Sequence, residues 1–146
     1  MANYDGSAFK VYVKSSAPSV AKDESEYTLV GKVINTSIPG ARGVIDISSK
    51  DEYPNRALLS GERNESLSLT CRYKHTQDAG QLVLMNQYYA AGGDVYFLVS
   101  TNVAGDYCFS GYGVITARPI TVNHKAASDV SFTIEVSGVI TITVLT

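Results

Sequence analysis

The chain has 146 residues, with 12 Lys and Arg against 14 Asp and Glu, for a net charge of −2. One domain of this length buries roughly 68–70% of its unfolded surface, enough for a core without metals or disulfides. The balanced charge excludes a cationic nucleic-acid binder, and an apolar share of 45% excludes an acidic disordered chain. Val, Ile and Thr supply 36 residues, beside ten Tyr and four Phe, a composition that favours strands.

Ala8 to Val13 alternates, with Phe9, Val11 and Val13 on one face and Lys10 and Tyr12 on the other, and predicts a first strand. Ser15 to Ser25 holds Pro18 and a mixed-charge cluster and reads as a loop. Glu26 to Asn35 returns to strand composition. The stretch Thr36 to Gly43, with Pro39-Gly40 and Gly43, predicts a turn or bulge, and Val44 to Ser49 alternates again.

Lys50 to Asn64 has neither period, and it contains Pro54, Gly61 and the apolar pair Leu58-Leu59. It is expected to be a long loop, which in a small domain is usually functional or disordered. Glu65 to Tyr73 is the cleanest strand: Leu67, Leu69, Cys71 and Tyr73 alternate with Ser66, Ser68, Thr70 and Arg72. A helix follows, capped by Thr76 with Asp78 in its first turn. Its expected apolar stripe is Leu82, Met85 and Tyr89, and Gly92-Gly93 ends it.

Asp94–Ser100 and Tyr107–Arg118 predict a hairpin, with Gly111 and Gly113 placed for close backbone approach within a strand. Pro119 to Ser128 is a connector. Val130 to Ser137 and Val139 to Leu145 alternate as the last two strands. The fold class is mainly β: a β-sandwich or barrel of about eight strands with one packed α-helix, in a single domain over 1–146.

Catalytic chemistry finds little material. His75 and His124 read as solvated loop residues, and no nucleophile elbow, P-loop, HExxH motif or acid pair occurs in the sequence. No enzyme activity, metal or cofactor is expected. Cys71 and Cys108 have no further Cys or His at ligand spacing and are expected to be free thiols. The longest apolar runs are far below the roughly 18 residues of a membrane span, and the N-terminus lacks the pattern of a secretory signal. Cytoplasmic synthesis is the expectation.

From Val44 to Gly138 the order of elements resembles the major tail tube proteins of long-tailed, non-contractile bacteriophages and related gene-transfer particles. The resemblance runs through Val44-Ile45-Asp46-Ile47-Ser48-Ser49-Lys50-Asp51, Leu59-Ser60-Gly61-Glu62-Arg63-Asn64 and Glu65-Ser66-Leu67-Ser68-Leu69. It continues through the capped helix, the strand Phe109-Ser110-Gly111-Tyr112-Gly113-Val114-Ile115-Thr116 and the closing Ser137-Gly138-Val139-Ile140-Thr141. It covers about two thirds of the chain, and order and spacing carry it rather than any single motif. Two departures stand out: Pro54-Asn55 replaces an aromatic often found near Arg56, and the N-terminal arm, residues 1–7, is short.

The resemblance implies a structural virion protein whose hexameric rings stack into a hollow tail tube that delivers DNA to the host cell. Implied partners are further copies of the chain, the tape-measure protein and DNA in the channel without sequence-specific binding, and tail terminator and tail-tip proteins, with no membrane. Implied lumen-lining residues are Asp46, Ser48, Ser66, Ser68, Thr70, Ser131, Thr133 and Glu135, since a neutral or acidic wall does not grip phosphates. Implied ring or subunit contacts are Asp51, Glu52, Tyr53, Arg56, Leu58 and Leu59 in the loop 50–64. The alternatives are another tail component, such as a terminator or baseplate protein, and a β-sandwich module binding ligands on its loops.

Overall fold

A computed structural model describes residues 9–46, 58–73, 78–90, 93–138 and 140–145. Ten strands follow in chain order: β1 Lys10–Lys14, β2 Thr28–Leu29, β3 Val33–Ser37, β4 Gly40–Asp46, β5 Leu58–Arg72, β6 Val95–Ser100, β7 Tyr107–Ala117, β8 Ile120–Thr121, β9 Asp129–Val136 and β10 Thr141–Val144. One α-helix, α1, spans Ala79–Tyr89, and a 3-10 turn spans Glu24–Glu26. The mainly β class with one packed helix is as expected. The strand count is higher because short pairings such as β2 and β8 carry no readable alternation.

Every pairing is antiparallel. The main order is β2-β1-β6-β7-β9-β5-β3, with β10 on β7, β8 on β9 and β4 on β5. Its two ends, β2 and β3, are consecutive in the chain and separated only by Val30, Gly31 and Lys32. That link spans at most about 14 Å, so the sheet must curl until its edges nearly meet. The link bonds to both sides: Val30 N–H donates to Val11 O at 2.9 Å, and Arg72 N–H donates to Lys32 O at 2.9 Å. The predicted strand Glu26–Asn35 is therefore two strands broken at this seam, where Lys32 adopts φ 60°.

Inside the curl lies the main core. Val11, Val13, Leu67, Leu69, Cys71, Val95, Phe97, Phe132 and Ile134 are all buried there, with Leu84 of α1 and partly buried Val83 and Met85 packed on them. A second cluster on the other face joins Tyr12, Leu98, Cys108 and Leu145, with Tyr27 from the 15–27 loop packed against it. Tyr12 thus leaves solvent, contrary to a simple in/out reading of β1.

The helix start and its buried face both differ from expectation. Asp78 is the N-cap: its carboxylate accepts from Gln81 N–H at 3.1 Å, while Thr76 lies outside the described residues. The inward face is Gly80, Gln81 and Leu84, whereas Leu82 is 46% and Tyr89 70% exposed. Hydrophobic periodicity missed this because two of the three inward residues are not hydrophobes. Gly80 lets the helix close onto the seam, where a Cβ would overlap the Leu29 carbonyl oxygen. Gln81 Nε2 then donates to Gly31 O at 3.2 Å and to Arg72 O at 2.8 Å, tying helix to both sides of the seam.

Gly113 fits the close-approach reading, since a Cβ there would overlap the Glu135 carbonyl oxygen. The expected bulge near Gly43 occurs as a register shift between Arg42 and Val44. The predicted loop Lys50–Asn64 is corrected in its second half: Leu58 to Asn64 is strand, the start of the 15-residue β5. It pairs with β4 from Gly40↔Glu65 to Asp46↔Leu58. The mixture of Gly, charged and polar residues hid the strand, and among the described residues this part of β5 pairs with β4 alone, outside the main ladder that fixes alternation.

Candidate functional site

The hydroxyl-bearing positions of β5 and β9 face each other across the ladder. The register pairs Ser66 with Glu135, Ser68 with Thr133, Thr70 with Ser131 and Arg72 with Asp129. Side chains alternate along a strand. Because Leu67, Leu69, Cys71, Val130, Phe132 and Ile134 are buried in the core, this polar set must point outward. Thr70 Oγ1 and Ser131 Oγ lie 3.1 Å apart. On the flanks, Asn35 and Ser37 of β3 pair with Thr70 and Ser68, and Thr116 Oγ1 of β7 donates to Thr133 O at 3.5 Å.

Charge on this face nearly cancels. Arg72 Nη1 and Asp129 Oδ1 form an ion pair at 2.9 Å, which accounts for the one cation in the row. With side chains 49% and 30% exposed, such a pair contributes at most about 1 kcal/mol. Glu135 is then the uncompensated charge among these eight cross-strand positions.

Six of the eight proposed lining residues, Ser66, Ser68, Thr70, Ser131, Thr133 and Glu135, therefore lie together on one surface. Asp46 is placed apart from them, at the far end of β4 opposite Leu58, and Ser48 lies outside the described residues. The same sheet face also carries Tyr96 and Tyr112, stacked with centroids 5.3 Å apart. Sequence reading missed this pair because its two tyrosines come from different strands and meet only through the β6–β7 register.

The second feature is the arm formed by β4 and the first half of β5. Ile45 pairs with Leu59 and Asp46 with Leu58, so the apolar pair lies at the outer end of a two-stranded projection rather than in a loop. Arg42 and Arg63 are directly opposite one another, and Val44 is 59% exposed. Asp51, Glu52, Tyr53 and Arg56 lie outside the described residues.

Both cysteines are free and buried, on opposite faces of the sheet. Burial, with a smaller contribution from the charge of Asp78, pushes the Cys71 thiol up to about 12. His124 sits exposed in the 122–128 connector, and His75 lies outside the described residues. Among the described residues no three His, Cys, Asp or Glu gather as metal ligands, and no helix is long and apolar enough to cross a membrane.

No protein-family model matches the chain, and no curated protein matches its sequence. Solved structures do match its fold. The tail of an empty gene transfer agent particle with C6 symmetry superposes at TM-score 0.75 and 18% identity, covering 97% of this chain and 99% of the other. The SPP1 tail tube gives TM-score 0.75 at 18% identity, over 97% of this chain and 80% of that one. A chain of the anti-feeding prophage baseplate gives 0.66 at 8% identity, over 99% of both.

Proposed function

We propose that this chain is a structural subunit of a tail tube, in which copies form hexameric rings that stack around a channel for DNA. The observation that carries this reading is the whole-chain likeness to the gene transfer agent tail and the SPP1 tail tube. The local chemistry supports it. The β5–β9 face is broad, hydroxylated and close to neutral, so it offers DNA little to grip: phosphate affinity grows with each Lys or Arg that displaces counterions.

In this reading Ser66, Ser68, Thr70, Ser131, Thr133 and Glu135 line the channel, and the tape-measure protein occupies it before DNA does. The arm supplies contacts between copies through Leu58 and Leu59, together with Asp51, Glu52, Tyr53 and Arg56. An isolated two-stranded hairpin is marginal in water, and a neighbouring copy would stabilise it. Tail terminator and tip proteins cap the ends, the tube resides in the virion tail, and the subunit has no catalytic role.

The likeness to a baseplate chain favours a second reading, in which the subunit forms a single ring or short stack at one end of the tail. Negative-stain electron microscopy of the purified protein over a range of concentrations separates the two. Hollow tubes with a regular axial repeat support the tube; rings that never stack, even with tail-tip proteins added, support the end component. The double variant Leu58→Asp, Leu59→Asp should stay folded and monomeric, and normal tubes from it would remove the arm from the assembly contact.

A further inference from the structure

Residues 15–27 join β1 to β2, and the register Val13↔Thr28 makes this loop leave and return at one point of the sheet. Adjacent ends and internal ties make it an Ω-loop. The Glu26 carboxylate accepts from Ser19 N–H at 3.0 Å and from Val20 N–H at 2.6 Å. The Tyr27 hydroxyl donates to Ala21 O at 2.9 Å, and Asp23 N–H donates to Val20 O at 3.1 Å. The Asp23 carboxylate accepts in turn from the Ser25 amide and hydroxyl, capping the 3-10 turn.

Every residue from Ser15 to Tyr27 is exposed or half-buried. Tyr12, Leu98, Cys108 and Leu145, by contrast, form the sheet's second apolar cluster, and the loop lays Tyr27 on it. Tyr27 directly follows Glu26, so the carboxylate that closes the loop also fixes where the ring sits. A surface loop closed by its own bonds can open as a unit, at far lower cost than global unfolding.

We propose that the 15–27 loop is a lid latched by Glu26: releasing the latch lifts Tyr27 off the sheet and uncovers Cys108 and its neighbours while the main core stays packed. The inference stands on the subunit's own geometry and does not rest on the tube reading.

Acid should release the latch. Val20 N–H, then Ser19 N–H, with a smaller pull from Lys14, hold the Glu26 carboxyl below the usual carboxylate range. Lys14 of β1 faces it from the sheet, with Tyr96 opposite Lys14 in the β1–β6 register and Tyr12 and Cys108 in the cluster under Tyr27. The loop itself brings Lys22, Asp23 and Glu24. Asp23 is also held low, by the Ser25 hydroxyl and then its amide, so it adds to the acid response. A carboxyl with a lowered pKa stabilises the closed lid fully above the usual carboxylate range, and that contribution is lost as pH falls through the lowered value.

The test reads the two native thiols, both buried and on opposite faces of the sheet. Cys71→Val leaves Cys108 to report the lid, and Cys108→Val leaves Cys71 to report the main core. Labelling by dithiodipyridine, which stays reactive in acid, is measured relative to free glutathione at each pH. At pH 7, Glu26→Gln should speed Cys108 labelling about tenfold, through loss of charge-assisted hydrogen bonds, and leave Cys71 unchanged. Between pH 7 and pH 4 the Cys108 rate should rise in the chain with Glu26 and rise less in Glu26→Gln. Unchanged Cys108 labelling in Glu26→Gln, equal acceleration of both thiols, or the same acid response with and without Glu26 overturns the latched lid.

Discussion

Thr70 and Ser131 meet hydroxyl to hydroxyl at 3.1 Å across the β5–β9 ladder, at the centre of an outward face whose cation, Arg72, is already paired with Asp129. Neutrality here is a property of the register: a one-residue slip would turn the whole hydroxyl row inward and expose Leu67, Leu69 and Phe132.

Making this face basic should separate assembly from delivery. Thr70→Lys with Ser131→Lys places like charges opposite each other, which costs up to about 1 kcal/mol and leaves the fold intact. Tubes should still form, while DNA delivered per particle falls about tenfold or more as the new cations hold phosphates. Particle counts beside transfer titre measure both. An unchanged titre from tubes containing the variant would take this face out of the channel.

Gly80→Ala should destabilise the subunit by about 1–3 kcal/mol through overpacking, because its Cβ runs into the Leu29 carbonyl at the seam. A urea midpoint equal to that of the parent chain would mean that α1 does not sit this close.

Gln81 is fully buried and donates to Gly31 O and Arg72 O. Gln81→Leu keeps the volume but strands those two carbonyls, so a loss of about 1–3 kcal/mol is expected. Hydrogen exchange should report it first at the Val30 and Arg72 amides, which bond across the link. Uniform exchange changes across the sheet would argue against a local seam.

Alkaline pH should weaken the fold. Burial, then Asp78, pushes Cys71 up to about 12; burial, then Glu26 and Cys108, pushes Tyr27 up to about 12. Both groups are neutral when protonated, and the folded chain keeps protons that the unfolded chain has lost. Their stabilisation is complete below about pH 9 and declines as pH rises toward 12, at about 1.4 kcal/mol per pH unit for buried Cys71. Urea unfolding at pH 8 and 10.5 should show a smaller drop for Cys71→Val than for the parent. Equal drops would place the loss elsewhere.

The strands with a buried face were legible in the sequence. Leu67-Leu69-Cys71 against Ser66-Ser68-Thr70, and Val130-Phe132-Ile134 against Ser131-Thr133, alternate because the core demands it, and their hydroxyl partners became one surface through a register that sequence could suggest but not fix. The arm strand Leu58–Asn64 was not legible, since its sequence has no period-2 alternation and among the described residues it pairs with β4 alone. Nor was the seam: Lys32 at φ 60°, Gly80 and Gln81 act through backbone approach and hydrogen bonds, which hydrophobic patterning does not register. The partner of Arg72, Asp129, became identifiable only from the β5–β9 pairing.

The most direct test of the tube is a cryo-electron microscopy reconstruction of the assembled protein. Stacked six-fold rings around an open channel are expected, with Ser66, Ser68, Thr70, Ser131 and Thr133 facing the channel axis. A tube with those residues on its outer wall, or a chain that stays monomeric even with tail-tip proteins present, would contradict it.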